Sequence, residues 1–380
     1  MSHPHGNNGS PVPLVIGVTG HRNLVADEIP GIEQRVRQFF LDLQARFPQR
    51  DVVVMCPLAE GADHLVARVA VELGLPLMIP LPMARDLYEQ DFATLESQKE
   101  FERLCAAGQV FELPLVRGNL RHDVSVHGAE RDKQYAQLGV FICAHCHILL
   151  ALWDGKHSDK LGGTAQVVEF HHNDVMPGYT EGEPHTELML ADDESDLVYH
   201  IVCSRDQIDG APQSPLQPLQ TAWFTTNEDT PRSETLPARY ELIFSRTAEF
   251  NRDSAEHEVR IGSEKWSLQG STTSSELSAY VEDIDRMFGI ADWLAIHFQT
   301  RVNWTLLLTY TLAVLMGLAF VAYADVAGGQ FTIYLFLLFF GLGVVLVMIA
   351  QRKAWHRRYL DYRALAEGLR VQYYWAVAGV

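Results

Sequence analysis

The chain has 380 residues, with 48 acidic side chains against 30 basic ones and a formal charge of −18. Acidity of that size excludes general nucleic-acid binding, which needs Lys and Arg against phosphates, yet it leaves room for a small anion in a locally basic pocket. Five cysteines, at positions 56, 105, 143, 146 and 203, follow no framework spacing and suit a reducing compartment.

Residues 1–11 carry no basic region ahead of an apolar core, so no cleavable signal is visible and the segment reads as a flexible tail. From Leu14 to about Cys203, apolar runs alternate with helix-like stretches. PLVIGV, DVVVMC, PLMIPL, VFELPL, HILLALW and VYHIVC read as strands, with VYHIVC the last of them. GIEQRVRQFFLDLQARF, DHLVARVAVEL, LESQKEFERLCAA, the stretch from Glu130 to about Cys143, and GGTAQVVEF read as helices or helix starts. Apolar strands interleaved with helices predict an α/β fold, a Rossmann-like doubly wound parallel sheet over residues 12–250. A polar, acidic insertion falls at about 173–197, and DQIDGAPQSPLQPLQ follows the last strand as a loop.

A helical linker spans 251–302. It contains the hinge-like EHEVRIGSEKWSLQGSTTSS and a helix, SELSAYVEDIDRMFGIADWLAIHFQTR, that runs into an apolar segment. Residues 304–324 and 331–350 hold no charge, and about twenty such residues suffice to cross a bilayer as a helix. Soluble core helices rarely stay apolar on every face for this length. The link DVAGGQ makes the two spans an antiparallel transmembrane hairpin, assigned to 303–350. Arg301 precedes it and Arg352, Lys353, Arg357 and Arg358 follow it, whereas the link carries Asp325 and no basic residue. The positive-inside tendency therefore puts both termini in the cytoplasm.

Residues 351–380 form a C-terminal helix in which Trp355, Tyr359, Tyr362, Ala366, Leu369 and Tyr373 follow heptad spacing. That seam suits packing on the chain's own pre-membrane helix or self-association equally. AVAGV carries no helix stop signal, leaving room for a longer native chain.

Three turns share one placement, each just after a strand: TGHR, PLAEGAD and WDGKHSDKLGGT. In a doubly wound sheet such turns gather along the carboxyl edge, where ligands bind. Gly20 permits close backbone approach, and His21 and Arg22 suit an anion. Gly162, Gly163 and Thr164 at a helix start suit a phosphate. Glu60 and Asp63, with Gly61 between them, offer carboxylates for ribose hydroxyls. Trp153 offers a stacking face and Asp154 a sugar acceptor. Together the set matches a nucleotide better than a simple anion, although TGHR also suits an ordinary turn, Asp63 a helix N-cap and Trp153 core packing. CAHCH, residues 143–147, has soft ligands at close spacing but no second pair, and buried thiols are commoner than such a zinc clip, so no metal is assigned. His171 and His172 lie near Glu169, as a solvated helix face also explains. No nucleophile, base and orienter can be read as a set.

VIGVTGHRNL, CPLAEGADHL, LLALWDG with the later GGT, and VYHIVCSR make residues 12–205 resemble the SLOG superfamily, the Rossmann-like relatives of DprA and of LOG phosphoribohydrolases. FGIADWLAIHFQTR, the two spans and YRALAEGLRVQYYW resemble SLATT-type two-helix membrane modules. The resemblance implies a domain that binds nucleotide-derived ligands, in some members as signals of bacterial defence against phage. It also implies a membrane effector in the bacterial inner membrane. Some relatives hydrolyse a nucleotide's glycosidic bond with a PGGxGTxxE-type motif. Here the proline and the intervening residue are missing, and Glu169 lies outside the expected register.

Three functions follow as expectations. The first is a ligand-gated membrane effector acting as a homo-oligomer without a cofactor, its ligand a nucleotide derivative and its surroundings membrane lipid. Ala313 and Gly317 would give close helix packing, and the absence of ionisable residues in the spans argues against a selective ion path. The second is a membrane-tethered nucleotide-processing enzyme of phosphoribohydrolase or NAD-glycohydrolase type, with Glu169 as its catalytic candidate. The third is a scaffold that recruits partners through the C-terminal helix.

Overall fold

Apolar β-branched runs become strands at β1 (Leu14–Gly20), β2 (Val52–Met55), β3 (Leu77–Leu81), β4 (Gln109–Glu112), β5 (Ile148–Trp153) and β6 (Val198–Val202). Two further strands, β7 (Thr221–Phe224) and β8 (Arg232–Ser233), complete the sheet. These come from a computed structural model that describes residues 11–180, 196–226, 232–269, 279–325 and 330–378. The tail at 1–10, most of the acidic insertion (181–195), part of the hinge-like stretch (270–278) and most of the interspan link (326–329) lie outside the described residues.

The strand order is β4-β3-β2-β1-β5-β6-β7-β8, with every pairing from β4 to β6 parallel. β7 and β8 add antiparallel pairings, Val198 opposite Phe224 and Phe224 opposite Arg232. VYHIVC is therefore not the last strand. TAWF is too short for a periodic signal beside a Pro- and Gln-rich stretch, and the edge of β6 is what organises it.

Helices cover both faces. α1 (Ile29–Arg46), α2 (Ala62–Glu72) and α4 (Leu95–Ala107) pack in one core with Ile148, Leu150 and Leu152 of β5. A short α3 (Arg85–Tyr88) adds Leu87 and Tyr88 to that core. α5 (Ala129–His145) and α6 (Thr164–Asn173) pack on the opposite face with Leu149 and Ala151. The alternation of β5 between the two cores is why its sequence is apolar throughout. In α1 the buried stripe Ile32, Val36, Phe39, Phe40 and Leu43 follows the helical period.

The chain reverses direction across the sheet between β1 and β5. β2, β3 and β4 extend to one side of β1, and β5 and β6 to the other. That is the topological switch point of a doubly wound sheet.

The described chain falls into two units, one from Val12 to Glu249 and one that begins at Phe250. α7 (Ala238–Glu256) enters the second unit at Phe250. Part of the hinge-like stretch is helical, α8 (Glu258–Glu264), and Glu264 Oε2 accepts the Trp293 Nε1–H at 2.9 Å.

α9 (Ala279–Asp325) is one helix of 47 residues. Its first half buries Val281, Ile284, Phe288, Ala291, Ala295 and Phe298, alternating gaps of three and four. α10 (Gln330–Arg352) returns antiparallel, and α11 (Trp355–Ala378) continues beside the first half of α9. Tyr373 packs with Val281 and Ile284, and the Tyr362 ring lies 5.7 Å from that of Phe298. The C-terminal seam is thus used within the chain, on the pre-membrane helix. Asp253 of α7, 1% exposed, joins the same bundle by accepting from Tyr362 Oη at 2.7 Å and Arg358 Nη1 at 3.1 Å.

Past Asn303 the burial pattern inverts. Apolar side chains of α9 and α10 face outward, and these two helices are long and apolar enough to cross a membrane.

Candidate functional site

The turn after β1 is built around two close approaches. A Cβ on Gly20 would stand 2.4 Å from Ala62 Cβ of α2, so helix-to-strand packing by itself requires a glycine here. His21 continues the ladder, its N–H donating to Leu152 at 3.1 Å, while its carbonyl accepts the Ala62 N–H at 3.0 Å.

The His21 ring is committed to the neighbouring turn. Its Nε2 accepts the Asp154 N–H at 3.1 Å and stands 3.2 Å from Asp154 Oδ1. His21 therefore ties the turns after β1 and β5 together, leaving Arg22 as the half-exposed cation of TGHR. Arg22 Nη2 lies 4.0 Å from Asp91 Oδ2, with its guanidinium carbon 5.7 Å from the Tyr135 ring centroid.

The turn after β2 divides the residues expected there. Asp63 faces the same cleft, 3% exposed, and its Oδ2 accepts the Ala59 N–H at 3.1 Å. It is not the N-cap of α2, which is Gly61. Glu60 turns away from the cleft lining, and its Oε1 accepts the Ala93 N–H at 3.0 Å. Gly61, at φ +81°, presses on the Arg22 backbone and does not line the cleft either.

The turn after β5 brings in the rest. Trp153 donates from Nε1 to the Lys156 carbonyl at 3.0 Å, and Asp154 Oδ1 accepts the Lys156 N–H at 3.0 Å in an Asx-type turn. Gly162, at φ +70°, lies so close to α5 that a Cβ would meet Ala136 N at 2.7 Å. Gly163 caps α6 without a side-chain hydrogen bond, so the first-turn amides beginning at Thr164 have no partner within the helix.

Trp153, Asp154, Gly162, Gly163 and Thr164 share one cavity of about 460 Å³ with Gly20, His21, Arg22 and Asp63. It sits outside the carboxyl ends of β1 and β5, at the switch point, within the ~300–1,000 Å³ range of small-molecule sites.

Several residues of this cavity carried no sequence signal. Asp91 forms part of its wall, with Oδ1 2.7 Å from Nη2 of Arg131, which is 2% exposed, and Oδ2 accepting from Tyr135 Oη. Arg131 also donates to the carbonyls of Val124 at 2.5 Å and Leu87 at 2.9 Å. Lys156, Lys160 and Arg205 line the cavity as well. Arg205 belongs to the VYHIVCSR segment, but only folding reveals which residue after a strand turns inward.

The lining carboxylates are largely satisfied from within. Arg131 neutralises Asp91. Burial by itself would raise the Asp154 carboxyl, but the adjoining His21 ring and the Lys156 N–H hold it below the usual range. Burial pushes Asp63 up to about 7, against the opposing Ala59 N–H and Arg22. Asp132 remains as a carboxylate on the wall, facing Arg22, Lys156, Lys160 and Arg205 as lining cations. With the α6 amides, these favour an anionic ligand.

Glu169 is absent from this lining. It is half-exposed and pairs with His157 Nδ1 at 3.6 Å. His171 is buried, its Nε2 3.3 Å from the Leu197 carbonyl oxygen, and burial lowers it to about 4. This overturns the picture of a solvated helix face there. In CAHCH, Cys143 donates to the Val167 carbonyl and His147 Nδ1 accepts the Val15 N–H at 3.1 Å. Among the described residues no group of three or more His, Cys, Asp or Glu is placed to hold a metal ion.

No protein-family model matches the chain, and no curated protein matches it. Among solved structures, DNA processing protein A (DprA) from Streptococcus pneumoniae is similar over 37% of this chain, at 13% identity and a TM-score of 0.24. The match spans 41% of that protein. A likeness of that size carries no argument, and the architecture rests on the strand order and parallel registers. Fold and cavity together define an α/β protein with a ligand-sized cleft at its switch point, joined in one chain to two apolar helices of membrane-crossing length.

Proposed function

We propose that the protein is a membrane-anchored sensor-effector of the SLOG-with-SLATT type, whose α/β domain binds a nucleotide-derived signal. The observation that carries this reading is the convergence of the turns after β1, β2 and β5 on one cleft with Arg22, Lys160 and the α6 amides. The α6 end and the cations suit a phosphate, and the Trp153 wall suits a base.

The two apolar helices anchor the protein in a bacterial inner membrane, with both termini cytoplasmic according to the flanking cations. Two spans cannot enclose an aqueous path, so the effector acts as a homo-oligomer. Ala313 and Gly317 are exposed on α9 and supply a face for close helix packing. Perturbing the membrane on signal binding, in defence against phage, is the role this assembly serves. No cofactor is assigned.

The test is to purify the full chain gently in detergent, denature it, and identify released small molecules by mass spectrometry. A phosphate-bearing nucleotide derivative is expected from the wild type and not from Arg22→Ala. Equal yield from both proteins sinks the sensor reading.

One observation favours the enzymatic alternative. Asp63 is a buried carboxyl in the cleft whose affinity for a proton is raised to about 7, near the optimum for proton transfer at neutral pH. Incubation with NAD and common nucleotides decides between them: turnover lost in Asp63→Asn installs a nucleotide-processing enzyme. Turnover lost in Glu169→Gln would point to the same class through the residue outside the cleft.

A further inference from the structure

A second cavity, of about 580 Å³, lies within the helical unit where α9, α10 and α11 meet. Val302, Leu306 and Thr309 of α9, Val347 and Ala350 of α10, and Trp355 of α11 form its apolar walls, and Gln299, Asn303, Gln351, His356 and Arg357 line it as well. The Thr305 and Thr309 hydroxyls donate back along α9, to the carbonyls of Arg301 at 2.8 Å and Thr305 at 2.7 Å. Neither needs a partner from the cavity, so the wall they share with Val302, Leu306, Val347 and Ala350 is apolar. The crevice exists because Ala354, at φ +50°, turns the chain sharply between α10 and α11.

The flanking sequence has the opposite character. Arg301, Arg352 and Lys353 adjoin the lining residues Val302, Gln351 and Ala354 along the chain and make no ion pair among the described residues, although the chain as a whole carries a charge of −18. The Arg301 guanidinium carbon lies 5.6 Å from the Trp355 ring centroid at the cavity wall. A pore-less hairpin needs flanking cations for its orientation, but orientation asks for no apolar crevice between them.

We propose that this crevice binds an acyl chain of an anionic phospholipid, whose phosphate is held by Arg301, Arg352 and Lys353. Apolar walls at membrane depth beneath unpaired cations at the interface match the two ends of such a molecule. A second copy of the chain is the weaker occupant, because a symmetric contact here brings the same cations against one another. The inference is independent of the nucleotide cleft and requires only that the hairpin be inserted in a bilayer.

The test is native mass spectrometry of the full chain, released from vesicles of phosphatidylglycerol or of phosphatidylcholine. The wild type is expected to retain one phosphatidylglycerol per chain in preference to phosphatidylcholine. The double variant Arg352→Gln, Lys353→Gln should lower phosphatidylglycerol retention by at least about tenfold, each cation at an anionic surface contributing appreciably, and leave phosphatidylcholine unchanged. Ala350→Trp and Leu306→Phe fill the crevice and should lower retention of both lipids; whichever keeps the wild-type unfolding midpoint is the one read. Equal retention of the two lipids by the wild type overturns the proposal, as does unchanged retention in a folded crevice-filling variant. Displacement of phosphatidylglycerol by inorganic phosphate assigns the rim to a soluble anion, and cross-linking between copies through Ala350→Cys assigns the crevice to a second chain; either result overturns it too.

Discussion

Gly61 packs against Arg22 so closely that a Cβ added to it would stand 2.1 Å from the Arg22 carbonyl oxygen. A glycine in the second turn thus shapes the first, and the cleft's half-exposed arginine owes its position to a residue that does not line the cleft. Gly61→Ala meets both this overlap and a φ of +81°. The backbone strain alone costs about 1–3 kcal/mol, which corresponds to a midpoint lowered by about 2–12 °C in a unit of this size. All five cysteines are buried in the α/β unit, so labelling by a thiol-reactive dye during heating reads this directly.

Arg22 and Arg131 approach the same carboxylate and should behave oppositely. Arg131 is buried on Asp91, and Arg131→Met leaves that charge without its main partner, a loss of about 3–5 kcal/mol. Arg22 is half-exposed at 4.0 Å, and Arg22→Ala should cost less than about 1 kcal/mol. The same thiol-labelling melts distinguish them; comparable losses would show that Arg22 has a structural role.

Asp63 sets a pH dependence. Its folded carboxyl binds a proton up to about pH 7, whereas an unfolded aspartate releases it near ~4, so its contribution is full below pH ~4 and lost as pH rises through 7. His147, His171 and His200, each lowered to about 4 by burial, act in the other sense: their contribution is present above pH ~6.5 and lost as pH falls toward 4. Comparison with Asp63→Asn cancels the histidines. The midpoint of the variant should rise relative to the wild type between pH 5 and pH 8; a constant difference would place the Asp63 titration elsewhere.

In the helical unit, Asp253 is the joint between α7 and α11. Tyr362→Phe removes one hydrogen bond to a buried carboxylate, a loss of about 1.5–3 kcal/mol, whereas Asp253→Ala strips Arg358 of its carboxylate and should lose about 3–5 kcal/mol. Tryptophan fluorescence during denaturation of the full chain in detergent measures both. Equal effects would mean that the ion pair contributes nothing beyond the tyrosine bond.

Much of the fold is legible in local pattern. The six apolar strands, the stripe on α1 and the heptad seam from Trp355 to Tyr373 are each set by side chains a few residues apart, which share a face whatever the rest of the chain does. β7 was invisible for the same reason, since four residues beside a loop hold too little pattern.

What the amino-acid order determined alone, then, is the alternation of elements, the apolar length of the two helices, and the placement of glycines and polar residues just after strands. Which of those polar residues enters the cleft was decided only by contacts between distant segments. Glu60 leaves because the Ala93 amide lies in reach, His21 is held by Asp154, and Arg131 is carried beneath Asp91 by a different helix. The tertiary fold likewise chose α9 as the partner of the C-terminal seam. The physical reason is common to all: periodicity fixes a direction relative to the local backbone, whereas a hydrogen bond or an ion pair forms only where packing brings donor and acceptor to within about 3–4 Å.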